Sequence, residues 1–472
     1  MLAWGLAATA TWAQDEPMQV DPQLEKRAMK LQESAPTWME KSEVPGMVLA
    51  GLWKGEFVGV APWGVRNDTT GMPVTEYTVF SAASLTKPVV AYLVLQLVEE
   101  GVLRLDQPLA DILLLPELAE DPRARDITVR MILSHTSGLP NWRWNRPLTI
   151  QFDPGSKFQY SGEGFVWLAR VVEKATGESL QTLVARRVFE PLGMESSSLV
   201  WEERFADNFA VGHGEDGMQR ELDMPGEVNA AASLLTTGRD YALFLQAVLE
   251  ARGVSRPLLA EACTPQVEVA PSVSWGLGWG LQDTQDGRAL FQWGDNAGYK
   301  AFVTANLDSK TGVVVFTNSD NGTALLGAVV TTAMGSDQPG IDWLGYESFN
   351  SPGREVRRIL ERVLQNEGAQ AAIDEYHLLK KRYPRDAFRE EMLNDLGYGL
   401  LRRERFEDAI AIFLLNVEEY PEAFNPYDSL GEAYMRAGDT ERAIANYERS
   451  VELNPDNQNG VEQLLELRKK QE

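Results

Sequence analysis

The stretch Phe80–Ser81–Ala82–Ala83–Ser84–Leu85–Thr86–Lys87, running on into Pro88–Glu100, decides the fold. Pro88–Glu100 is apolar almost all round, the pattern of a helix at the centre of a domain rather than on its surface. Pro88 suits a first turn, where its missing N–H costs little. Ser84 and Lys87 are three apart, so the spacing predicts that both project from one face of that turn. Burial beside the positive helix end would lower the lysine pKa and let it take the serine proton. Alone, Ser-x-x-Lys is a weak signal, with about one or two matches expected by chance in such a chain. The bland reading is a capping serine beside a solvated lysine.

Outward from this helix, residues 25 to 345 mix strand-like and helix-like segments. Met47–Trp53 and Glu56–Val65 read as paired strands meeting at Lys54–Gly55. Phe165–Ala175 and Asp240–Ala251 read as helices. Lys300–Leu307 and Val313–Asn318 alternate around Asp308–Gly312, a hairpin signature. Strands at both ends with helices between predict one α+β unit whose sheet draws on each end.

After Asn350 the pattern turns helical and repeats. Leu396–Gly397–Tyr398 recurs as Leu430–Gly431–Glu432, Ala409–Ile410 as Ala443–Ile444, Phe413 as Tyr447, and Tyr420–Pro421 as Asn454–Pro455. Upstream, Ala372–Ile373, Tyr376 and Tyr383–Pro384 carry the same features. This helix–turn–helix period resembles the tetratricopeptide repeat and covers 355–470. Such units bury their faces only against one another. They stabilise the neighbouring domain, or they form a groove for a protein or peptide partner; the repeat itself does not choose.

The 472 residues carry 44 basic and 69 acidic side chains, a formal charge of −25. That balance repels phosphate backbones and argues against nucleic-acid binding. One cysteine, Cys263, excludes an internal disulfide and a multi-cysteine metal site. His135, His213 and His377 lie far apart, so a histidine metal site is not expected. No metal or organic cofactor is implied. Leu2–Ala13 is apolar and small-residue-rich, and resembles a secretory signal core without its basic start. It is too short to span a bilayer, so the expectation is export, to the periplasm or beyond, with no integral span. Residues 1–20 are read as this segment and its linker.

Further motifs follow the Ser84 stretch in order: Met131–Pro140, Phe152–Gly162, Ala175–Gly177, Pro191–Met194, Ser233–Thr237 and Gly276–Gly280. This ordered set resembles the serine β-lactamase-like family, which holds class C β-lactamases, D-alanyl-D-alanine carboxypeptidases and family VIII esterases. The resemblance covers about 25–345. It implies a β-lactamase/transpeptidase-like α+β domain, an antiparallel sheet plus a helical region, followed here by the all-α repeats. Carried over by residue, it makes Ser84 the nucleophile, Lys87 its proton acceptor and Tyr160 the shuttle to the leaving group. A phenol flanked by an ammonium group is expected to have a depressed pKa.

Lys310–Thr311–Gly312 imitates the family's pocket triplet, but it falls at a hairpin tip and is rejected. The better match is Gln292–Trp293–Gly294 before Asp295. Relatives carry histidine or lysine at the first position; the neutral Gln292 can hydrogen-bond a substrate carbonyl but cannot ion-pair a carboxylate. By analogy the backbone N–H groups of Ser84 and Asp295 form the oxyanion hole. Gly162 stands where class C β-lactamases place an asparagine that contacts the substrate amide. Gly162, Gln292, Gly294 and Trp142 are the expected substrate-binding residues. Trp142, Arg143 and Trp144 could wall an aromatic cleft, with Arg143 or Arg146 supplying a charge. His135 and His213 read as structural, and Gly276–Gly280 as strand packing.

The resulting expectation is a serine hydrolase acting through a Ser84 acyl-enzyme on small ester or amide-like acyl substrates. Loss of the asparagine and of the third-motif cation places esterase ahead of β-lactamase or carboxypeptidase. The alternative is a catalytically weak relative kept as a binding scaffold, with the repeats recruiting a partner. Intact Ser84, Lys87 and Tyr160 oppose it.

Overall fold

The computed structural model describes residues 21–144, 146–222 and 224–471. The expected signal segment, residues 1–20, lies outside them. The chain divides into two compact units, one ending at Tyr346 and one beginning at Glu347.

In the first unit the strands are β1 (Gly46–Trp53), β2 (Glu56–Asn67), β3 (Met72–Pro73), β4 (Phe80–Ala83), β5 (Leu234–Thr236), β6 (Val267–Ala270), β7 (Val273–Trp275), β8 (Gly280–Thr284), β9 (Gly287–Asn296), β10 (Tyr299–Asn306) and β11 (Gly312–Thr317). Among the described residues nine of them form one sheet in the order β3-β2-β1-β11-β10-β9-β8-β7-β6, while β4 pairs with β5 apart from it. The ladders are antiparallel throughout. The first and last segments do share the sheet, because β1 pairs with β11, Val48 opposite Phe316. Lys54 (φ 52°) and Gly55 (φ 89°) turn β1 into β2 with two consecutive left-handed residues, the geometry whose twist suits a two-residue hairpin.

Lys300–Leu307 and Val313–Asn318 pair as the expected hairpin, and every residue of β10 and β11 is buried. Both faces of the sheet centre are covered, by the helix Gly238–Glu250 against β1, β2 and β11 and by Thr323–Met334 against β10 and β11. Centre strands covered on both sides read as continuous apolar runs.

The central helix runs Thr86–Glu99, with every residue from Thr86 to Leu95 buried. Helices from Gly162 to Thr176 and from Gly238 to Glu250 occupy the other two expected stretches. No described helix is long and apolar enough to cross a membrane.

The second unit is helical, with Pro352–Asn366, Ala369–Leu379, Glu390–Arg402, Phe406–Glu419, Phe424–Arg436, Thr440–Leu453 and Gln458–Gln471 in succession. The repeated features have a packing cause. A Cβ on Gly397 would lie 2.4 Å from the Phe413 ring, and one on Gly431 would lie 3.1 Å from the Tyr447 ring. Each glycine lets the aromatic ring of the following helix seat against its own backbone. Phe413 and Tyr447 are fully buried as a result.

Candidate active site

Ser84 lies in the turn between β4 and the central helix, two residues ahead of Thr86 and not within the helix itself. Ala83 just before it takes φ 49°, a conformation a non-glycine residue adopts only when its surroundings hold it. Here four consecutive carbonyls are held. Ala82 O accepts from Leu85 N (3.0 Å), Ala83 O from Thr86 Oγ1 (2.6 Å), Ser84 O from Lys87 N (3.1 Å) and Leu85 O from Tyr241 Oη (3.0 Å). The turn presents a partly exposed serine on a fixed backbone. The capping reading fails, since the helix N-cap is Leu85 and no side chain caps it.

Lys87 Nζ stands 3.0 Å from Ser84 Oγ and 2.9 Å from Ala231 O. Its side chain is buried, and its hydrogen-bond partners are this hydroxyl and this carbonyl rather than a carboxylate. Burial pushes the amine down from 10.5 to about 7, which makes the neutral form available near neutral pH.

Tyr160 completes the group, with its ring centroid 4.6 Å from Lys87 Nζ. Its phenol is not depressed as expected from a flanking ammonium. Burial raises it well above its ordinary value, and hydrogen bonds with the Ser84 and Gln292 side chains only partly offset this. The lysine faces the ring, and His135 and Trp293 pack around the same ring at 4.3 and 4.6 Å between centroids. His135 is therefore a neighbour that sequence reasoning set aside as a turn residue. Its Nδ1 accepts from Ser161 N at 3.0 Å, and burial, then the charge of Lys87, hold the imidazole well below its usual pKa. Ser161 caps the helix Gly162–Thr176 through Gly164 N and so fixes the tyrosine just ahead of it.

Gln292 differs most from its expected role. It is fully buried, and its Nε2 donates to Tyr160 Oη (2.7 Å), Trp293 O (3.1 Å) and Ser84 O (3.3 Å). The two carbonyls accept only, which fixes which end of the amide is nitrogen. The glutamine thus faces the tyrosine and not an incoming carbonyl. Because it donates into the phenol oxygen, the phenol proton is left to point at Ser84.

Gly294 also has a packing role. A Cβ there would lie 2.5 Å from Ala82 O, so only glycine lets β9 approach the strand that leads into Ser84. Asp295 follows at the end of β9, and its carboxylate is 2.8 Å from Lys300 Nζ. Lys300 also binds Asp320 (2.6 Å) and Asn296 O (3.1 Å), and Asp320 accepts from Gly298 N (2.8 Å). This buried cluster clamps the β9–β10 turn beside the site. The rejected Lys310–Thr311–Gly312 sits at the opposite end of β10, where Lys310 O accepts from Gly55 N.

Trp142 faces Lys87, with its ring centroid 5.9 Å from Nζ. Trp144 points outward, 82% exposed. Arg143 brings no free charge to the site, because Glu117 (3.2 Å) and Glu163 (3.5 Å) engage it. His213 lies against Asn318 O and Asp68, away from these groups. Trp343, from the short helix Pro339–Leu344, was not anticipated and packs 5.6 Å from Trp293. Nothing in its local sequence signals this.

A family model described as Beta-lactamase matches residues 23–329, and one described as Tetratricopeptide repeat matches 425–457. Penicillin-binding protein 4 of Amycolatopsis lactamdurans is 33% identical over 274 residues, covering 51% of this chain and 72% of that one. Esterase EstB of Burkholderia gladioli is 29% identical over 334 residues, covering 56% and 83%. The solved structure of a class C beta-lactamase aligns with a TM-score of 0.58 at 20% identity, over 66% of this chain and 96% of the other. That likeness shows the fold.

Proposed function

The chain belongs to the β-lactamase family, and from that premise we propose that it is a serine hydrolase forming an acyl-enzyme on Ser84, with small esters preferred to β-lactams. The observation that carries this reading is the buried amine 3.0 Å from the serine oxygen, with its pKa brought to about 7. Neutral Lys87 takes the Ser84 proton as Oγ bonds to the substrate carbonyl carbon. The backbone N–H groups of Ser84 and Asp295 receive the developing oxyanion. Tyr160, a phenol rather than a phenolate, donates its proton to the departing oxygen and regains one from the Lys87 ammonium. Water then attacks the acyl carbon and gives its proton to Lys87; the acyl–Oγ bond breaks, Lys87 passes that proton to Ser84 Oγ, and the acid leaves.

Esters come first because, among the described residues, Lys87 is the cation at these groups, and Lys300 beside them is paired with Asp295 and Asp320. Gln292 is neutral and faces Tyr160, and Arg143 is paired. Relatives include both an esterase and a penicillin-binding protein by name, so the family alone does not choose. The helical unit is assigned the binding of a protein or peptide segment, on the strength of its repeat. A scaffold-only role is the weaker reading, because the serine, lysine and tyrosine are assembled with hydrogen-bonding geometry.

The test is intact-mass analysis after a fluorophosphonate, comparing wild type with Ser84→Ala. One adduct, lost in the variant, supports the reading, and p-nitrophenyl esters turned over faster than nitrocefin support the substrate order. A folded wild type without adduct overturns it.

A further inference from the structure

Gly162 and Trp142 occupy one volume. A Cβ on Gly162 would lie 2.7 Å from Trp142 Cη2, 2.9 Å from Cζ3 and 2.9 Å from Asn141 O. The loop that carries Trp142 is fastened to the start of the helix Gly162–Thr176. Gly162 N donates to Asn141 O (3.0 Å) and Oδ1 (3.1 Å), Glu163 N to Asn141 O (3.1 Å), and Arg143 N to Glu163 Oε1 (3.2 Å). These bonds turn the loop's polar groups toward the helix end. The indole is left facing Lys87, beside a tyrosine whose own ring is packed by His135 and Trp293.

We infer that Trp142, seated in the space a side chain at 162 would fill, sets substrate preference: it selects an apolar group on the substrate flank lying over Gly162 and rejects an amide there. This rests on the hydrolase reading above and names the substrate class of that site. A desolvated ring face offers an alkyl or aryl group contact area. An amide pressed on the same face loses water and gains no partner. A hydrophobic wall of this kind is worth about ten- to a hundredfold in kcat/KM. Trp142 acts as a specificity-determining residue and takes no part in proton transfer.

The experiment compares two matched substrate pairs on full-length protein. One pair varies the acyl side, p-nitrophenyl hexanoate against p-nitrophenyl N-propanoylglycinate, which has the same chain length. The other varies the alcohol side of acetate esters with the same two chains. The readout is the ratio of kcat/KM within each pair, which does not depend on the fraction of enzyme folded. Wild type is expected to prefer the apolar member by about tenfold or more in at least one pair. Trp142→Ala should collapse that preference to within threefold, while Trp142→Phe should keep it. Gly162→Ala should collapse it as well, by displacing the indole, and should add little on top of Trp142→Ala. Unchanged ratios in Trp142→Ala, on a wild type that turns over both pairs, overturn the inference alone. A wild type that hydrolyses none of the four overturns the hydrolase reading and the inference with it.

Discussion

The Gln292 amide nitrogen lies 2.7 Å from the Tyr160 hydroxyl oxygen and donates to it. In the proposed mechanism that bond sets which way the phenol proton points, which makes Gln292 a positioning residue for Tyr160. Its own Oε1 is buried with no hydrogen-bond partner among the described residues.

Gln292→Met should therefore lower kcat about ten- to a hundredfold with little change in KM, since it misaligns one proton transfer. Folding stability should change by no more than about 1 kcal/mol, because the orphaned acceptor leaves together with the donor. Steady-state kinetics beside urea unfolding checks both. Gln292→His, which keeps a donor, should restore part of kcat. A parallel fall in stability and kcat would make the residue merely structural.

Lys87 predicts two pH effects of definite sign. The rate needs the neutral amine, so kcat/KM should rise with pH through a midpoint near 7. The buried amine binds its proton less readily than the unfolded chain does, so its contribution to stability is unfavourable at and below pH 7 and vanishes as pH rises towards the ordinary lysine value. Lys87→Met should abolish turnover, by a thousandfold or more. The same change should stabilise the fold at pH 7 by about 1–3 kcal/mol, the loss of the bond to Ala231 O offsetting part of the gain. The stabilisation should shrink at pH 10. Thermal unfolding at the two pH values tests the sign.

The Lys300–Asp320 pair (2.6 Å) holds the turn that follows Asp295. Burial, the largest influence, would raise the Asp320 carboxyl, but the Lys300 charge and hydrogen bond, the Gly298 N–H and Arg220 together more than offset it, and the pKa lies below the ordinary value. Lys300→Met leaves that carboxylate with Arg220 and the Gly298 N–H. A loss of about 2–4 kcal/mol is expected for a buried pair broken on one side. If the turn positions the oxyanion donor, kcat should drop at a temperature where the variant is fully folded. Circular dichroism and single-turnover acylation rates decide this.

In the helical unit, Gly431→Val forces Tyr447 off its seat. Overpacking of this kind should cost about 1–3 kcal/mol. Calorimetry should show a lowered transition while fluorophosphonate labelling of Ser84 stays intact.

How much of this could be read from the chain differs by residue. That Ser84, Lys87 and Tyr160 come together was legible, because short spacings and flanking motifs name them. The tyrosine's pKa was not, because its sign depends on the lysine facing the ring rather than the hydroxyl, and on two aromatic neighbours from distant segments. Gln292 was found, but its aim was misjudged, since whether an amide faces a cleft or a phenol is decided by β9 passing over the central turn. Gly162 and Trp142 were each noticed and never joined; twenty residues of sequence separate two groups that share one volume. That β10 and β11 are buried throughout was not legible, because the sequence does not say that helices cover both sides of them.

The pairing of β1 with β11 has a consequence for how the protein comes into being. These strands lie roughly 270 residues apart, and such long-range pairing is slow because loop closure must precede the contacts that reward it. During synthesis the β1–β2 hairpin emerges first and waits with one edge unpaired, a template for wrong association. It cannot be capped until β11 has left the ribosome. The repeats that follow need only their neighbours along the chain. In a nascent chain, then, the first unit stays open to chaperones until its last strand arrives, whereas the C-terminal unit can fold as fast as it is made.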